Sequence, residues 1–241
     1  LNWSVSSAIP FVSGRKYTLE ARAYDNTGQY SAVYSTRTVI YDYTVPLSTM
    51  TFPAEGNVFV SSLPAITGVM VDKTGTGLHL GGVINVRLSL RRLSDGFYWS
   101  EVNNGWSNTV SSMTSPGDID VFIDSFTTKA GIDLPKPTAN LADGTSYYVT
   151  ASATDDSDDG GNIEPFYIKG STFSVDYSSP VTGISYPVTG STYSAVSSIW
   201  GTALDNPPES YKVRAGIAGV KLKIQRLTND PSTYFRGTAA N

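Results

Sequence analysis

Cysteine is absent from all 241 residues, which excludes a disulfide scaffold, every thiolate metal site and thiol redox chemistry. The single histidine is His79, so a multi-histidine zinc site cannot be built within the chain, and a lone loop histidine reads as a polar surface residue rather than the base of a triad. Charge is sparse as well: 16% of residues are charged, the formal net charge is -4 and the pI is about 4.9. With no basic block to neutralise phosphates, nucleic acid is not an expected partner. No apolar run reaches the length of a transmembrane helix. The opening residues Leu1, Asn2 and Trp3 form neither a basic n-region nor an apolar h-region. The expectation is an excised or processed segment, with any secretion and anchoring signals lying outside it.

What is present is 40% hydrophobic and 12% aromatic residues, with tyrosine leading at 15 copies, and Gly 22 with Pro 13 to make turns. That balance predicts a globular, turn-rich, all-β chain. Internal similarity then sets its organisation. The stretch from Ser13 to Asp25 matches that from Asp143 to Asp155 at an offset of 130 (155 − 25), with Gly14, Tyr17, Ala21, Ala23 and Asp25 recurring as Gly144, Tyr147, Ala151, Ala153 and Asp155. Asp42-Tyr43-Thr44-Val45-Pro46 matches Asp176-Tyr177-Ser178-Ser179-Pro180 at an offset of 134 (180 − 46). Pro53, Gly56, Phe59, Gly68 and Asp72 recur as Pro187, Gly190, Tyr193, Gly201 and Asp205. Gly82, Val86, Leu88, Leu90 and Arg92 recur as Gly216, Val220, Leu222, Ile224 and Arg226, and Tyr98-Trp99 as Tyr234-Phe235.

A unit of about 130 residues is an ordinary domain size. Its boundaries are placed at the Asp-Tyr-x-x-Pro segments, where proline ends strand pairing and stiffens the connection. Residues 1–44 then form the back half of one repeat, 45–178 a complete repeat and 179–241 the front half of a third. Within a repeat the apolar period is two, as in Val86-Arg-Leu-Ser-Leu-Arg, Val220-Lys-Leu-Lys-Ile-Gln and Tyr17-Thr-Leu-Glu-Ala-Arg-Ala. This predicts strands with one buried face, about seven per repeat, and no helix with caps. Two antiparallel sheets packed as a sandwich of immunoglobulin-like or fibronectin III-like type accommodate that count.

The pattern Leu141-x-Asp143-Gly144-x-x-Tyr147-x-Val149-x-Ala151-x-Ala153-x-Asp155, then Gly161-Asn162, then Val175-Asp176-x-x-x-Pro180, resembles the end of a bacterial Ig-like domain. Gly201-Thr-Ala-x-Asp205 with Gly216-Ile-x-x-Val220 resembles the start of the next one. The resemblance covers nearly the whole chain. It implies tandem domains of a large, extracellular, bacterial cell-surface protein or adhesin, with a spanning, fibre-forming or adhesive role. The residues that carry it have physical roles of their own. Tyr17 and Tyr147, three positions after a turn glycine, are placed to form a tyrosine corner. Ala21, Ala23, Ala151 and Ala153 are small enough to let a facing sheet approach, and are expected in the core. One departure is the loop Asp25-Asn-Thr-Gly28-Gln29, where the family favours Gly-Asn.

The densest charge is the run from Asp155 to Glu164, five carboxylates in ten residues, a set of hard oxygen ligands suited to Ca²⁺. It is no EF-hand, because position 12 of such a loop falls on Phe166 and the pattern has no flanking helices. In a sandwich, the loops after the second and sixth strands lie at the pole nearest the domain's N-terminus. Asp42, Asp72, Asp155, Asp156 and Asp158 are therefore expected to converge at the first repeat junction as candidate Ca²⁺ ligands, and Asp176 with Asp205 at the second. The competing reading is a solvated acidic turn that aids solubility.

Enzyme signatures are missing. Gly75-Thr-Gly77-Leu-His-Leu80 begins like a dinucleotide fingerprint, but its third glycine is Leu80 and no βαβ pattern surrounds it. No P-loop or Gly-x-Ser-x-Gly occurs, and no carboxylate pair is marked out for glycoside hydrolysis. Phe97, Tyr98, Trp99 and Trp106 could platform a sugar, yet alternation splits such a run between two faces, and its recurrence as Tyr234-Phe235 favours a structural role. The expected function is thus a non-enzymatic array segment whose partners are neighbouring repeats, copies of itself, or a cell-surface or glycan ligand. The alternative is a carbohydrate-binding accessory module of a secreted enzyme.

Overall fold

The computed structural model describes residues 2–5, 9–54, 56, 58–72, 82–110, 113–114, 125–127, 141–157, 160–166, 169–205 and 212–227. Among them there is no helix, and so none long and apolar enough to cross a membrane. The chain is all-β. Its first strand pair is β1 (Arg15–Ala21) with β2 (Ser35–Tyr41), antiparallel. Its last is β13 (Val181–Tyr186) with β14 (Trp200–Leu204), also antiparallel.

Between these pairs lie two sheets. The smaller has three strands in the order β10 (Ser125–Thr127), β5 (Thr67–Val71), β3 (Leu47–Phe52). The larger has seven, running β4 (Val58–Val60), β12 (Gly170–Val175), β11 (Thr145–Asp155), β6 (Val83–Arg92), β7 (Tyr98–Ser100), β8 (Gly105–Ser107), with β9 (Met113–Thr114) also on β6. The described strands of this middle repeat outnumber the seven that periodicity predicts, because β4 and β7 to β9 are two- or three-residue pieces too short to show a period. Every ladder in the larger sheet is antiparallel except β12 with β4.

Alternation sends one face of each sheet inward. Met50 of β3, Met70 of β5 and Phe126 of β10 meet Val86, Leu88 and Leu90 of β6 and Tyr147, Val149, Ala151 and Ala153 of β11 in one buried cluster. All of that cluster falls between Met50 and Val175. Small side chains at Ala151 and Ala153 permit the close approach, as the sequence requires. Ala21 is only half-buried and Ala23 is exposed, because β1 and β2 have no facing layer among the described residues.

The sequence repeat is also a repeat of register. Pairing runs Thr145↔Val175 to Thr150↔Gly170 in the middle repeat and Arg15↔Tyr41 to Glu20↔Thr36 in the first. Leu47↔Val71 corresponds to Val181↔Leu204, and both pairs of strands carry the same irregularity, between Met50 and Phe52 and between Ile184 and Tyr186. Glycine is required there: a Cβ on Gly68 would come within 2.2 Å of the Phe126 ring, and one on Gly201 within 1.9 Å of the Gly183 carbonyl oxygen.

Both expected tyrosine corners form. The Val12 amide donates to the Tyr17 hydroxyl at 2.8 Å and the Ala142 amide to that of Tyr147 at 2.7 Å. A third corner, which the sequence reading passed over, joins the Val188 amide to the Tyr193 hydroxyl at 3.0 Å; the equivalent Phe59 has no hydroxyl with which to make it. Burial of Tyr147 pushes its phenol up to about 12.

Candidate functional site

The loops at the two repeat junctions hold the acidic residues. At the first, the carboxylates of Asp42 and Asp155 are set in place by hydrogen bonds from the loops around them. Asp155 ends β11, and its Oδ1 accepts the amides of Ser157 (3.0 Å) and Asn162 (2.7 Å), which wraps the acidic loop around it. The Asn162 Nδ2 donates to Asp155 Oδ2 (2.9 Å), to Ser157 Oγ (3.0 Å) and across the junction to the main-chain oxygen of Asp42 (3.3 Å). Asp42 Oδ1 accepts Ser13 Oγ at 3.0 Å, the Thr44 amide at 2.9 Å and Thr44 Oγ1 at 2.5 Å. Asp72 follows directly on β5, and its Oδ2 is shut off from solvent.

These placements bring three of the sequence-predicted residues together. Asp42, Asp72 and Asp155 each present a carboxylate oxygen, and the three oxygens lie within 4.8 Å of one another. Two oxygens held by one Ca²⁺ at 2.3–2.6 Å can be at most about 5 Å apart, so the spacing fits a shared ion. The donor set is hard and anionic, and Asp155 is fully buried. At that spacing like charges repel strongly where water is scarce, and a divalent cation would offset the repulsion. Asp156 stands apart from the trio, with its Oδ1 accepting the Gly82 amide at 2.8 Å. Asp158 lies outside the described residues, as do His79, the Gly75–Leu80 stretch and Tyr234-Phe235.

The second junction repeats the aspartates with different neighbours. Asp176 and Asp205 are both buried. Asp176 Oδ2 accepts the Ala215 amide at 2.7 Å, and Asp205 Oδ2 accepts the next amide, Gly216, at 2.6 Å. The same segment reaches back to the middle repeat, where the Val213 amide donates to the Gly144 oxygen at 2.9 Å. Gly144 has φ +68, and a Cβ there would lie 2.6 Å from the Lys212 Cβ. Its missing side chain therefore serves both the turn and the seating of the following repeat.

Asp25, the first-repeat counterpart of Asp155, organises its own shorter loop. Its Oδ1 accepts Thr27 Oγ1 (2.6 Å) and the amides of Thr27 (2.8 Å) and Gln29 (3.0 Å). The Thr27 hydroxyl, ahead of these amides, holds the carboxyl below its usual range.

Sequence reasoning counted Glu164 only as one more acid of the loop. Its side chain instead lies buried in the middle repeat, where Oε1 and Oε2 accept the Ser48 amide at 3.1 and 3.0 Å. Oε2 also accepts Ser48 Oγ at 2.6 Å and the Ala153 amide at 3.1 Å. It ties β3, just past the junction linker, to β11 in the other sheet. No local pattern could have found it, because Ser48 is 116 residues away.

The aromatic run divides as alternation requires. Trp99 is buried in the core, with Trp106 edge-on to it at 5.5 Å and Trp106 in turn 5.5 Å from Tyr147. The Arg92 guanidinium covers Trp106 at 4.7 Å and pairs with Asp95 at 2.5 Å, which holds the Asp95 carboxyl below its usual range. The described residues thus form an all-β chain in which segments of matching sequence pair in matching register. No protein-family model and no curated protein matches it.

Proposed function

We propose that this chain is a non-enzymatic segment of a long, extracellular bacterial array of tandem Ig-like sandwiches, with a structural or adhesive role, in which Ca²⁺ stiffens the first repeat junction. The carrying observation is the continuity of register through three successive units, with Asp42 and Asp176 set at equivalent joints. The strand order supports the Ig-like assignment: β3 and β5 pair with β10, while β4 runs parallel to β12 beside β11 and β6. Asp42, Asp72 and Asp155 would hold the ion, and a bound Ca²⁺ would tie the linker to two loops of the middle repeat.

Carbohydrate binding by the Phe97 to Trp106 run is the lesser reading, since Trp99 is committed to the core. The test is force spectroscopy on the chain held at its two ends. The middle repeat should extend in one cooperative step, at a higher force in Ca²⁺ than in chelator, and Asp72→Asn should remove the difference. Gradual extension without a step would overturn the mechanical role. A force indifferent to Ca²⁺ would remove the ion from the proposal.

A further inference from the structure

Ser13 and Asp143 stand at equivalent places, each between the residue whose amide reaches the corner tyrosine and the turn glycine. On one side, the Val12 and Ala142 amides donate to the Tyr17 and Tyr147 hydroxyls. On the other, the amides of Gly14 (φ +74) and Gly144 (φ +68) donate to the oxygens of Tyr41 at 2.7 Å and Val175 at 2.8 Å, at the far end of the same strand pair. A backbone pinned one residue before and one residue after leaves the side chain between them pre-organised for its partner. That partner is the linker. The Tyr43 amide donates to Ser13 Oγ at 3.0 Å, and the Tyr177 amide to Asp143 Oδ1 at 2.9 Å. The following hydroxyl meets the same side chain: Thr44 Oγ1 lies 3.5 Å from Ser13 Oγ, and Ser178 Oγ donates to Asp143 Oδ2. Each linker presents its amide because its own aspartate folds it into a turn, Asp42 Oδ1 accepting the Thr44 amide and Asp176 Oδ1 that of Ser178. The partners are 30 residues apart at the first joint and 34 at the second, so the contact survives a difference of four residues (34 − 30) in the chain between them. At the second joint the Tyr177 hydroxyl also donates to the Leu141 oxygen at 3.0 Å, and the Val213 amide to that of Gly144 at 2.9 Å. One turn, from Leu141 to Gly144, thus touches both the linker and the unit that follows it.

We propose that the residue before the turn glycine, Ser13 at the first joint and Asp143 at the second, is a positioning residue that clamps the linker and so fixes the direction in which each unit passes the chain to the next. The tyrosine corner then has a second role, because it holds the clamp residue as well as closing its own loop. What the place requires is an oxygen acceptor: one residue is neutral and the other charged, yet each takes the amide of the linker tyrosine. The clamp is built from N–H and O–H donors alone, so it holds the linker with or without Ca²⁺. The inference rests on the repeat reading of the chain, and not on an ion at the first joint.

Hydrogen exchange and residual dipolar couplings on the full chain, with chelator present, test the clamp. In the wild type the Tyr177 amide should be protected, and the couplings of β11–β12 and β13–β14 should fit one alignment tensor. Asp143→Ala should speed exchange at Tyr177 about tenfold or more, as expected for losing a hydrogen bond to a charged group, and should split the couplings into two tensors. Asp143→Ser should move both readouts back towards the wild type, because Ser13 accepts the equivalent amide at the first joint. Ser178→Ala, made on the linker with the turn left intact, should give a smaller change in the same direction, and carries the test if Asp143→Ala loosens β11 itself. Protection of the β6 and β11 amides reports whether the middle unit is folded in each variant. The proposal is overturned if Tyr177 exchanges as fast in the wild type as in Asp143→Ala, if the couplings of every variant fit one tensor, or if the serine variant is as loose as the alanine one. Any of these results with β6 and β11 still protected leaves the repeat reading standing, whereas unprotected β6 and β11 in the wild type would remove that reading itself.

Discussion

Strands β1 and β11 carry the same motif and pair with their hairpin partners in the same register, yet β11 is buried on both faces over its last residues while β1 is largely exposed. The difference shows which part of this fold is local. A hydrogen-bonded ladder needs only two alternating segments and a turn, whereas burial needs a second layer. β11 has that layer in β3, together with β6 along its edge; among the described strands β1 has only β2.

The largest expected effect breaks this comparison where burial differs most. Leu88→Ala should cost about 2–5 kcal/mol of unfolding free energy, the range for emptying a close-packed site. Leu222→Ala, its equivalent, should stay within about 0.5 kcal/mol in dilute monomer, as exposed substitutions do. Denaturant unfolding measures both, and equal losses would mean that the end segment is already packed.

The next effect concerns the strut between the layers. Glu164→Ala strips the acceptor from the buried amides of Ser48 and Ala153 and should cost about 3 kcal/mol, since hydrogen bonds to a charged group are worth about 1.5–3 kcal/mol. At the matching place near the N-terminus the Ser31 amide donates to Ala23 just as that of Glu164 donates to Ala153, but among the described residues no facing strand stands there to brace. Ser31→Ala should therefore fall within about 0.5 kcal/mol. A loss for Glu164→Ala no greater than that for Ser31→Ala would show that the carboxylate is not structural.

The smallest effect is a pH dependence at the Tyr147 corner. The phenol of Tyr147 is raised in the fold relative to the unfolded chain, so its neutral form is the one that the core favours. Its contribution is complete below pH 10 and is lost as pH rises from 10 towards 12. Raising the phenol from 10.0 to about 12 corresponds to about 2–3 kcal/mol. Melting temperature in alkaline buffers should show this fall, and Tyr147→Phe should flatten it at the cost of about 1 kcal/mol near neutrality, for the bond from Ala142. Tyr17→Phe should cost no more than about 0.5 kcal/mol near neutrality, because that corner lies outside the core.

Much of this was legible in the sequence because it depends on spacing alone. The offsets of 130 and 134 align the strand registers, the turn glycines precede the corner tyrosines, and alternation splits Trp99 from Tyr98. At the junction, the reading joined Asp42, Asp72 and Asp155, which the structure brings within 4.8 Å of one another, because loops at one pole of a sandwich must meet. It could not tell Asp156, which turns to Gly82, from Asp155, nor foresee that Ala215 and Gly216 would supply amides to Asp176 and Asp205.

By itself the sequence determined the all-β character, the internal similarity and the strand faces, since each follows from side-chain period or turn chemistry. Only the tertiary structure decided which equivalent residues are core and which are exposed, and that Glu164 is a strut rather than a loop acid. Burial and long-range hydrogen bonds depend on what lies across the sheet, and for Ser48 and Glu164 that neighbour is 116 residues away along the chain.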